Sequence, residues 1–491
     1  MDHATGFSTG RHRRTIFAAS FLAPAFFLAL ALPLIFNGLN RGRGAADSLN
    51  YHEKAIRTFA SQFPHPDLSD YLSATTPGYH LLLSLVARFI SDQRLHLQLA
   101  SAALSALLIA TLASACAWRM RRAMSPFGVL AVCLPFLCSI YVLSSGVWLL
   151  PDNAAWFALL GVLLLALRRS QHFGVFVAAG LLMVVLVLTR QIHIWAAGVI
   201  WIGAWLGAGA ARSESPLFSR HDIGGRTIPR ITRTTLAFLL TLPAFAVLFY
   251  FYKLWGGLTP PSFKPMHGAR IQWAGPALDL SLLAVAGCFY FEFWRAAFGK
   301  LTREQPVLLV AVAAGGFLLA VLPNTTHDPA SGRVTGIFHA VKALPDIADH
   351  TSILFPPLAA LGAVILFSFL RAMNPRARWV MLGALLGFSI ANSVNPQLWQ
   401  RYHEPFILMW IILASSLAVW GGSAAKPGRL AVIGPLALAA LLAFVSYRGI
   451  FHERVATDAH FTPGNVEPAA LSPSQSRSDH PIGPRDFATL R

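Results

Sequence analysis

Long apolar segments recur along the whole chain and limit the folds that it can adopt. A helix needs about 20 mostly apolar residues to cross a hydrocarbon layer about 30 Å thick. Thirteen segments approach that length, so the sequence predicts an all-α polytopic membrane protein of about 13 transmembrane helices. The predicted spans are residues 15 to 37, 96 to 117, 126 to 148, 153 to 167, 173 to 190, 192 to 209, 234 to 254, 279 to 298, 306 to 323, 352 to 370, 379 to 394, 405 to 421 and 430 to 446.

The composition excludes the soluble classes of protein. Hydrophobic residues make up 55% of the 491 positions and charged residues only 12%, whereas soluble domains carry roughly 25% charged residues. Soluble enzymes, secreted disulfide scaffolds and disordered chains are therefore excluded. The four cysteines lie in apolar segments without the paired spacing of a zinc site, and no metal is predicted.

The chain has a net charge of +18, from 39 Lys and Arg against 21 Asp and Glu. The distribution of the basic residues along the chain is explained by membrane topology. When the spans are threaded with the amino terminus in the cytoplasm, most arginines fall in short cytoplasmic connections, as the positive-inside rule requires. No nucleic-acid partner is predicted. The first span is longer than the apolar core of a cleavable signal peptide, so we expect an uncleaved anchor. The long loops then lie on the outer face of the membrane.

This threading also predicts the domain organisation. Residues 1 to 446 form one multi-spanning domain, with a first outer loop at residues 38 to 95. Residues 447 to 491 are rich in Pro, Ser, Asp and Arg and have little apolar content, which predicts a disordered outer tail.

The first outer loop predicts two helices beside the membrane. Residues 47 to 63 form an amphipathic pattern that ends before Pro64, which is typical of a helix lying on a membrane surface. A second helix begins with Thr76 as its N-cap and runs to about Ile90. At roughly 14 residues this second helix is too short to span.

Asp47 has two interpretations that the sequence leaves open. It is an N-cap acceptor for the helix that starts there, or it is a general base at the water interface that accepts a hydroxyl proton. Other titratable groups crowd the same loop, which favours a site. They are His52, Glu53, His65, Asp67 and Asp70.

The outer ends of later spans carry further polar residues. Arg190 is either an arginine that snorkels to the lipid headgroups or a ligand for phosphate, since a guanidinium can bind phosphate through two hydrogen bonds. Arg401 is likewise a candidate ligand for phosphate. Trp399 and Tyr402 are candidates either for stacking on a sugar ring or for the aromatic belt of the membrane interface.

Three of these segments together resemble a known family. The first runs from Asp47 through His52 to Asp70 and on to Ala74-Thr75-Thr76-Pro77-Gly78, the second is Arg190-Gln191-Ile192-His193-Ile194-Trp195, and the third is Trp399-Gln400-Arg401-Tyr402-His403-Glu404-Pro405. With them the chain resembles the GT-C superfamily of glycosyltransferases that use polyprenyl-phosphate sugars. It is similar in particular to the dolichyl-phosphate-glucose alpha-1,2-glucosyltransferase family, as a bacterial relative.

The resemblance implies an inverting hexosyltransferase that works on the periplasmic face. The donor would be a polyprenyl-phosphate sugar, the acceptor a lipid-linked glycan or another acceptor, and no cofactor is implied. The membrane lipid around the protein is a further expected partner. Asp47 is the implied general base. The implied substrate-binding residues are His52, Glu53, Asp70, Arg190, Gln191, Trp399, Arg401, Tyr402 and Glu404.

A secondary transporter or a lipid or polysaccharide flippase, without glycosyl transfer, is the alternative. A transporter is expected to carry ionisable residues near the bilayer centre and an internal inverted repeat, and the sequence shows neither. The observation that discriminates between the two is whether Asp47, Arg190 and Arg401 converge on one groove that opens to both lipid and water.

Overall fold

The computed structural model describes residues 6–168, 171–207, 220–223, 226–264, 271–420 and 427–452, and the side chains of all of these except 6–14 and 220–228. The first half of the described chain is mostly helical and contains one short hairpin. Its helices are α1 Gly6–Phe36, α2 Gly42–Asp47, α3 Glu53–Gln62, α4 Gly78–Phe89, α5 Arg94–Met120, α6 Pro126–Cys138, α7 Ile140–Val147, α8 Asp152–Ala166, α9 Phe173–Thr189, α10 Ala196–Leu206 and α11 Arg230–Trp255. A π-helical turn, Ser48–His52, joins α2 to α3, a 3-10 turn, Gln191–Trp195, precedes α10, and strands β1 Arg220–Ile223 and β2 Arg226–Pro229 pair antiparallel.

The second half of the chain has the same character. Its helices are α12 Gly275–Gly287, α13 Phe291–Glu304, α14 Pro306–Val321, α15 Ile337–Lys342, α16 Phe355–Ala372, α17 Pro375–Ser393, α18 Gln400–Trp420 and α19 Leu430–Phe451. Three 3-10 turns, Pro261–Phe263, Cys288–Tyr290 and Pro329–Ser331, and an antiparallel pair of two-residue strands, β3 Asp346–Ile347 and β4 Thr351–Ser352, complete it.

The number of membrane spans is partly established. Seven helical segments of the described chain are long and apolar enough to cross a membrane, or eight if α6 and α7 count as one bent span. Four shorter apolar helices accompany them, Asp152–Ala166, Phe173–Thr189, Gln191–Leu206 and Pro306–Val321. Each predicted segment overlaps at least one helix, and the segments 126 to 148 and 279 to 298 each contain parts of two helices. These helices support a multi-pass integral membrane protein, and the count of 13 spans stays a prediction.

Helix α18 forms the centre of the bundle. Every residue from Tyr402 to Ala418 is buried, as expected for a helix that is apolar on all sides. The indole Nε1 of Trp410 donates to the carbonyl oxygen of Met381 at 2.9 Å, which joins α18 to α17. Because α18 is fixed by surrounding helices, the polar residues at its amino-terminal end have a fixed position.

Glycines allow neighbouring helices to approach closely. A Cβ atom at Gly362 of α16 would lie 1.9 Å from the carbonyl oxygen of Leu280 in α12, and one at Gly180 of α9 would lie 2.2 Å from the carbonyl oxygen of Leu240 in α11. Only glycine fits at these contacts. Small residues at helix crossings are typical of membrane bundles, where packing rather than water drives association.

The predicted third span is broken. Helices α6 and α7 meet at an angle of 73° around Ser139. The Ser139 side chain caps α7 by accepting from the backbone amide of Tyr141 at 3.3 Å, and it donates to Glu404 of α18 at 2.6 Å. A polar contact with the central helix therefore accompanies the bend, and hydropathy alone does not show it.

The predicted first outer loop contains helices α3 and α4, but Thr76 is not the N-cap that was predicted, and the N-cap interpretation of Asp47 is not supported. Asp47 is the last residue of α2, and it makes no capping bond to any described amide. The Thr76 hydroxyl donates to the carbonyl oxygen of Val187 at 2.5 Å, and α4 begins two residues later at Gly78. Contacts with other parts of the chain replace local capping at both positions. Helix α3 ends at Gln62, ahead of Pro64 as predicted, and its location on a membrane surface stays a prediction.

The last helix, α19, continues to Phe451, past residue 446 where the predicted multi-spanning domain ends. The division of the chain into this domain and a disordered tail stays a prediction. Residues 453 to 491 of the predicted tail, and half of the connection between the sixth and seventh predicted spans, residues 210 to 233, lie outside the described residues.

Candidate active site

Four charged side chains from distant parts of the chain meet at helix ends. Asp47 ends α2, Asp152 begins α8, Arg190 follows α9, and Arg401 is the second residue of α18. Arg401 Nη1 donates to Asp47 Oδ2, and Arg190 Nη1 donates to Asp152 Oδ1. The structure therefore brings together Asp47, Arg190 and Arg401, the three residues whose convergence the enzyme hypothesis requires.

A single aromatic ring links the two ion pairs. The guanidinium carbon of Arg190 lies 4.5 Å from the ring centroid of Tyr402, and that of Arg401 lies 4.9 Å from it. Both distances fall within the range of cation–π attraction. Arg401 Nη2 also donates to the Tyr402 hydroxyl oxygen at 3.0 Å. The ring thus helps to hold two cations close together that would otherwise repel each other.

The two ion pairs differ in their access to solvent. The side chains of Asp47 and Arg401 are 27% and 30% exposed, whereas those of Asp152 and Arg190 are 13% and 11% exposed. A substrate can therefore reach Asp47 more easily than Asp152. The enclosed position of Arg190 and its bond to Asp152 are inconsistent with an arginine that snorkels to lipid headgroups.

Trp399 lies beside this cluster and is covered by a further cation. The Arg43 guanidinium carbon is 5.1 Å from the Trp399 ring centroid. Arg43 belongs to α2, as Asp47 does, and Trp399 directly precedes α18. The contact gives α2 a second attachment to the start of α18. Stacking of Trp399 on a sugar ring stays a prediction.

His52 is buried next to the cluster, where it contacts a second histidine. His52 Nδ1 and His80 Nε2 lie 2.9 Å apart. Burial, with smaller contributions from the charges of Arg401 and Arg190, lowers the pKa of His52 to about 3. Burial, followed by the neighbouring His52, also lowers the pKa of His80 well below its ordinary value. Both rings are therefore neutral at physiological pH, and they join the π-helical turn to α4.

Two of the predicted substrate-binding carboxylates have other partners. Glu53 accepts from Arg57 Nη2 at 2.8 Å and from Arg94 Nε at 2.7 Å, one on each carboxylate oxygen. Asp70 accepts from the backbone amide of Ser262 at 3.1 Å and from its hydroxyl at 2.5 Å. In this structure Glu53 joins α3 to the start of α5 and Asp70 joins two loop segments, and neither is paired with the arginines of the cluster.

Gln191 connects three outer segments. Its Nε2 donates to the carbonyl oxygens of Ala74 and Leu258, both at 2.8 Å, and its Oε1 accepts from the backbone amide of Thr76 at 3.0 Å. These bonds occupy the amide group. Gln191 therefore supports the loop next to Arg190 in this structure.

Glu404 lies inside the bundle below the cluster. It accepts from Ser139 Oγ and from Gln400 Nε2, each at 2.6 Å. Its side chain is buried and both carboxylate oxygens have partners, so in this structure Glu404 connects α18 to the bend between α6 and α7.

Sequence reasoning missed Asp152 in the cluster. It lies in Leu149-Leu150-Pro151-Asp152-Asn153, a short predicted outer connection between two apolar segments. A lone carboxylate at that position is a usable signal, since charges beside spans are costly and tend to be functional. Arg43 and His80 were missed as well, and only their three-dimensional contacts identify them.

The cluster has the groups for one kind of chemistry. Asp47 can accept a proton, while two guanidiniums can bind an anion with several oxygens. Arg401 Nε is buried and has no partner among the residues described, so this donor is available to an anion that enters. Within the described ranges, no group of three or more His, Cys, Asp or Glu side chains could hold a metal ion.

Comparisons with known proteins give limited information. No protein-family model matches the chain, and no curated protein matches it. Among solved structures the chain is similar to ArnT from Cupriavidus metallidurans in the apo state, with 14% sequence identity and a TM-score of 0.35. The match covers 82% of this chain and 77% of that chain. A TM-score of this size marks only a partial superposition, so the proposals below rest on the geometry of this chain.

Proposed function

We propose that the protein is an integral-membrane glycosyltransferase of the GT-C type. It transfers a hexose from a polyprenyl-phosphate sugar to a lipid-linked glycan or another acceptor, at the periplasmic face of a bacterial inner membrane. The convergence of Asp47, Arg190 and Arg401 at one end of a bundle of apolar helices carries this proposal. The resemblance of the three segments that contain these residues to the GT-C superfamily supports it.

In the proposed reaction Asp47 is the general base. Its carboxylate takes the proton of the acceptor hydroxyl, and the acceptor oxygen forms a bond to the anomeric carbon of the donor sugar. The bond between that carbon and the phosphate oxygen breaks on the opposite face, and the electron pair leaves with the polyprenyl phosphate. A single displacement of this kind inverts the anomeric configuration. Arg190 and Arg401 stabilise the negative charge that develops on the phosphate.

The ion pair between Asp47 and Arg401 fits this reaction as a resting state. In this pair Arg401 occupies Asp47 Oδ2, so an acceptor hydroxyl must compete with the guanidinium for that oxygen. The donor phosphate competes with Asp47 for Arg401, so its arrival frees Asp47 when the sugar is in place. Asp152 keeps Arg190 oriented throughout, because that pair is the more enclosed of the two.

The position of the buried charges favours an enzyme over a transporter. His403 Nδ1 and Asp279 Oδ1 lie 2.7 Å apart with both side chains almost fully buried. His403 is only two residues beyond Arg401, at the start of the 21-residue helix α18. This pair therefore lies near the cluster and not halfway along the helix, where a transport site is expected.

The test is a transfer assay with membranes that contain the protein. Labelled polyprenyl-phosphate hexoses are supplied one at a time, and transfer into the lipid and glycan fractions is measured for the wild type and for Asp47→Asn. We expect one hexose to be transferred by the wild type and not by the variant. Proteoliposomes that move a lipid-linked sugar across the membrane, without transfer from any donor, would instead establish the flippase alternative.

A further inference from the structure

An apolar groove lies on the bundle between α10, α11 and α17. Three tryptophans line it, Trp201, Trp205 and Trp379, together with Ile202, Leu206, Thr234, Leu382, Gly383 and Leu386. Trp379 is 53% exposed and Trp205 is 36% exposed. Since these helices are apolar, the groove opens towards lipid, and an apolar chain fits its walls.

Two buried arginines lie at one end of this groove. Arg233 directly precedes Thr234, and Arg376 lies one helical turn before Trp379. Arg233 is only 1% exposed, and its Nε and Nη2 atoms have no hydrogen-bond partner among the described residues. Arg376 donates from Nη1 to the carbonyl oxygen of Gly207 at 2.5 Å and from Nη2 to that of Ala166 at 2.6 Å, while its Nε has no partner in the part of the chain that the structure describes.

The charge of these arginines is not balanced. No described carboxylate forms a salt bridge with Arg233 or Arg376, so an anion from outside the described chain is expected at this position. An arginine that merely snorkels to the headgroups extends into water. The near-complete burial of Arg233 indicates a specific anion site instead.

This place is distinct from the candidate active site. Ala166, which accepts from Arg376, is the last residue of α8, and Asp152 of the active site is the first. A helix of 15 residues is about 22 Å long. The two sites therefore lie at opposite ends of the bundle, and in the predicted topology the arginines are on the cytoplasmic side.

We propose that the groove and its arginines bind one anionic phospholipid. The lipid phosphate contacts Arg233 and Arg376, and one acyl chain lies against the tryptophans. Basic sites between helices on the cytoplasmic side are suited to such headgroups. The groove volume of about 630 Å³ holds about twenty water-sized groups at roughly 30 Å³ each. That capacity matches one acyl chain better than the longer chain of a polyprenyl phosphate.

The experiment uses the purified full chain in a neutral detergent and native mass spectrometry. Phosphatidylglycerol is added, with phosphatidylcholine of the same acyl chains as the control for charge. We expect one retained phosphatidylglycerol per protein and no retained phosphatidylcholine. Arg233→Gln should weaken retention at least about tenfold, since it removes the charge-assisted bonds. The matched control Arg371→Gln changes an exposed arginine at the same end of the bundle and should retain the lipid as the wild type does.

Further measurements distinguish a lipid headgroup from free phosphate, and a loss of lipid binding from a loss of folding. Inorganic phosphate alone should not displace the lipid, because it lacks the acyl chain. Trp379→Ala, at an exposed position, should also weaken retention without unfolding the protein. The proposal is wrong if the wild type retains no phosphatidylglycerol, if Arg233→Gln retains it equally, or if polyprenyl phosphate binds there more tightly.

Discussion

Replacing Asp47 by Asn separates its chemical role from its structural one. The amide oxygen of Asn can still accept the hydrogen bond from Arg401, but it cannot take a proton. The ion pair is 27% and 30% exposed on its two sides, and such a pair contributes about 1 kcal/mol to stability. Loss of a general base lowers a rate by about 10² to 10⁴-fold, which corresponds to about 3 to 5 kcal/mol in the barrier.

The assay measures transfer from a polyprenyl-phosphate hexose together with the unfolding midpoint of the purified protein. We expect the rate of Asp47→Asn to fall by those orders of magnitude while the midpoint changes little. Asp70→Asn is the matched control, because Asp70 contacts only Ser262 among the described residues, and its rate should remain normal. Near-normal transfer by Asp47→Asn would refute the reasoning and direct the search for the base to Asp152.

Three further predictions follow from the same geometry. Arg401→Ala should raise the KM for the donor far more than Arg401→Lys, because lysine keeps the charge but loses the two-bond fork; equal effects would contradict phosphate binding. The pKa of His52 is lowered to about 3, so its stabilising contribution is complete above pH 6.5 and decreases as the pH falls. Between pH 7 and pH 5 the α3–α4 region should lose at least about 2 kcal/mol of protection in hydrogen exchange, corrected for intrinsic rates; unchanged protection would contradict a buried neutral His52. For topology, an impermeant thiol reagent should label a cysteine placed at Asp70 in intact cells and not one placed at Arg226; the reverse pattern would invert the assignment.

The helices could be predicted because their signal is local. Apolar length is a property of a continuous segment, and each predicted segment overlaps at least one helix. The bend at Ser139 could not be predicted in this way, because it involves a hydrogen bond to Glu404 across the bundle. Ser139 and Glu404 are far apart in the chain, so no local sequence pattern indicates their contact.

The core of the candidate site could be predicted in part. Arg190 and Arg401 lie beside apolar segments, where a charge is conspicuous, and Asp47 begins the amphipathic pattern of the first loop; the three meet as expected. Sequence could not show that Asp152 balances Arg190 or that Glu53 is held by Arg94, since these pairs join residues far apart in the chain. The predicted N-cap at Thr76 and the N-cap interpretation of Asp47 both fail, because each side chain bonds instead to a residue far away in the chain.

The central claim is that the sugar arrives on a lipid phosphate. The most direct measurement supplies the purified protein in nanodiscs with the same hexose either as a polyprenyl-phosphate sugar or as a nucleotide sugar, and determines the anomeric configuration of the product by NMR. The account predicts transfer from the lipid donor alone, with inversion at the anomeric carbon, and loss of transfer in Asp47→Asn. Transfer from the nucleotide sugar without any lipid phosphate, or a product with retained configuration, would contradict it.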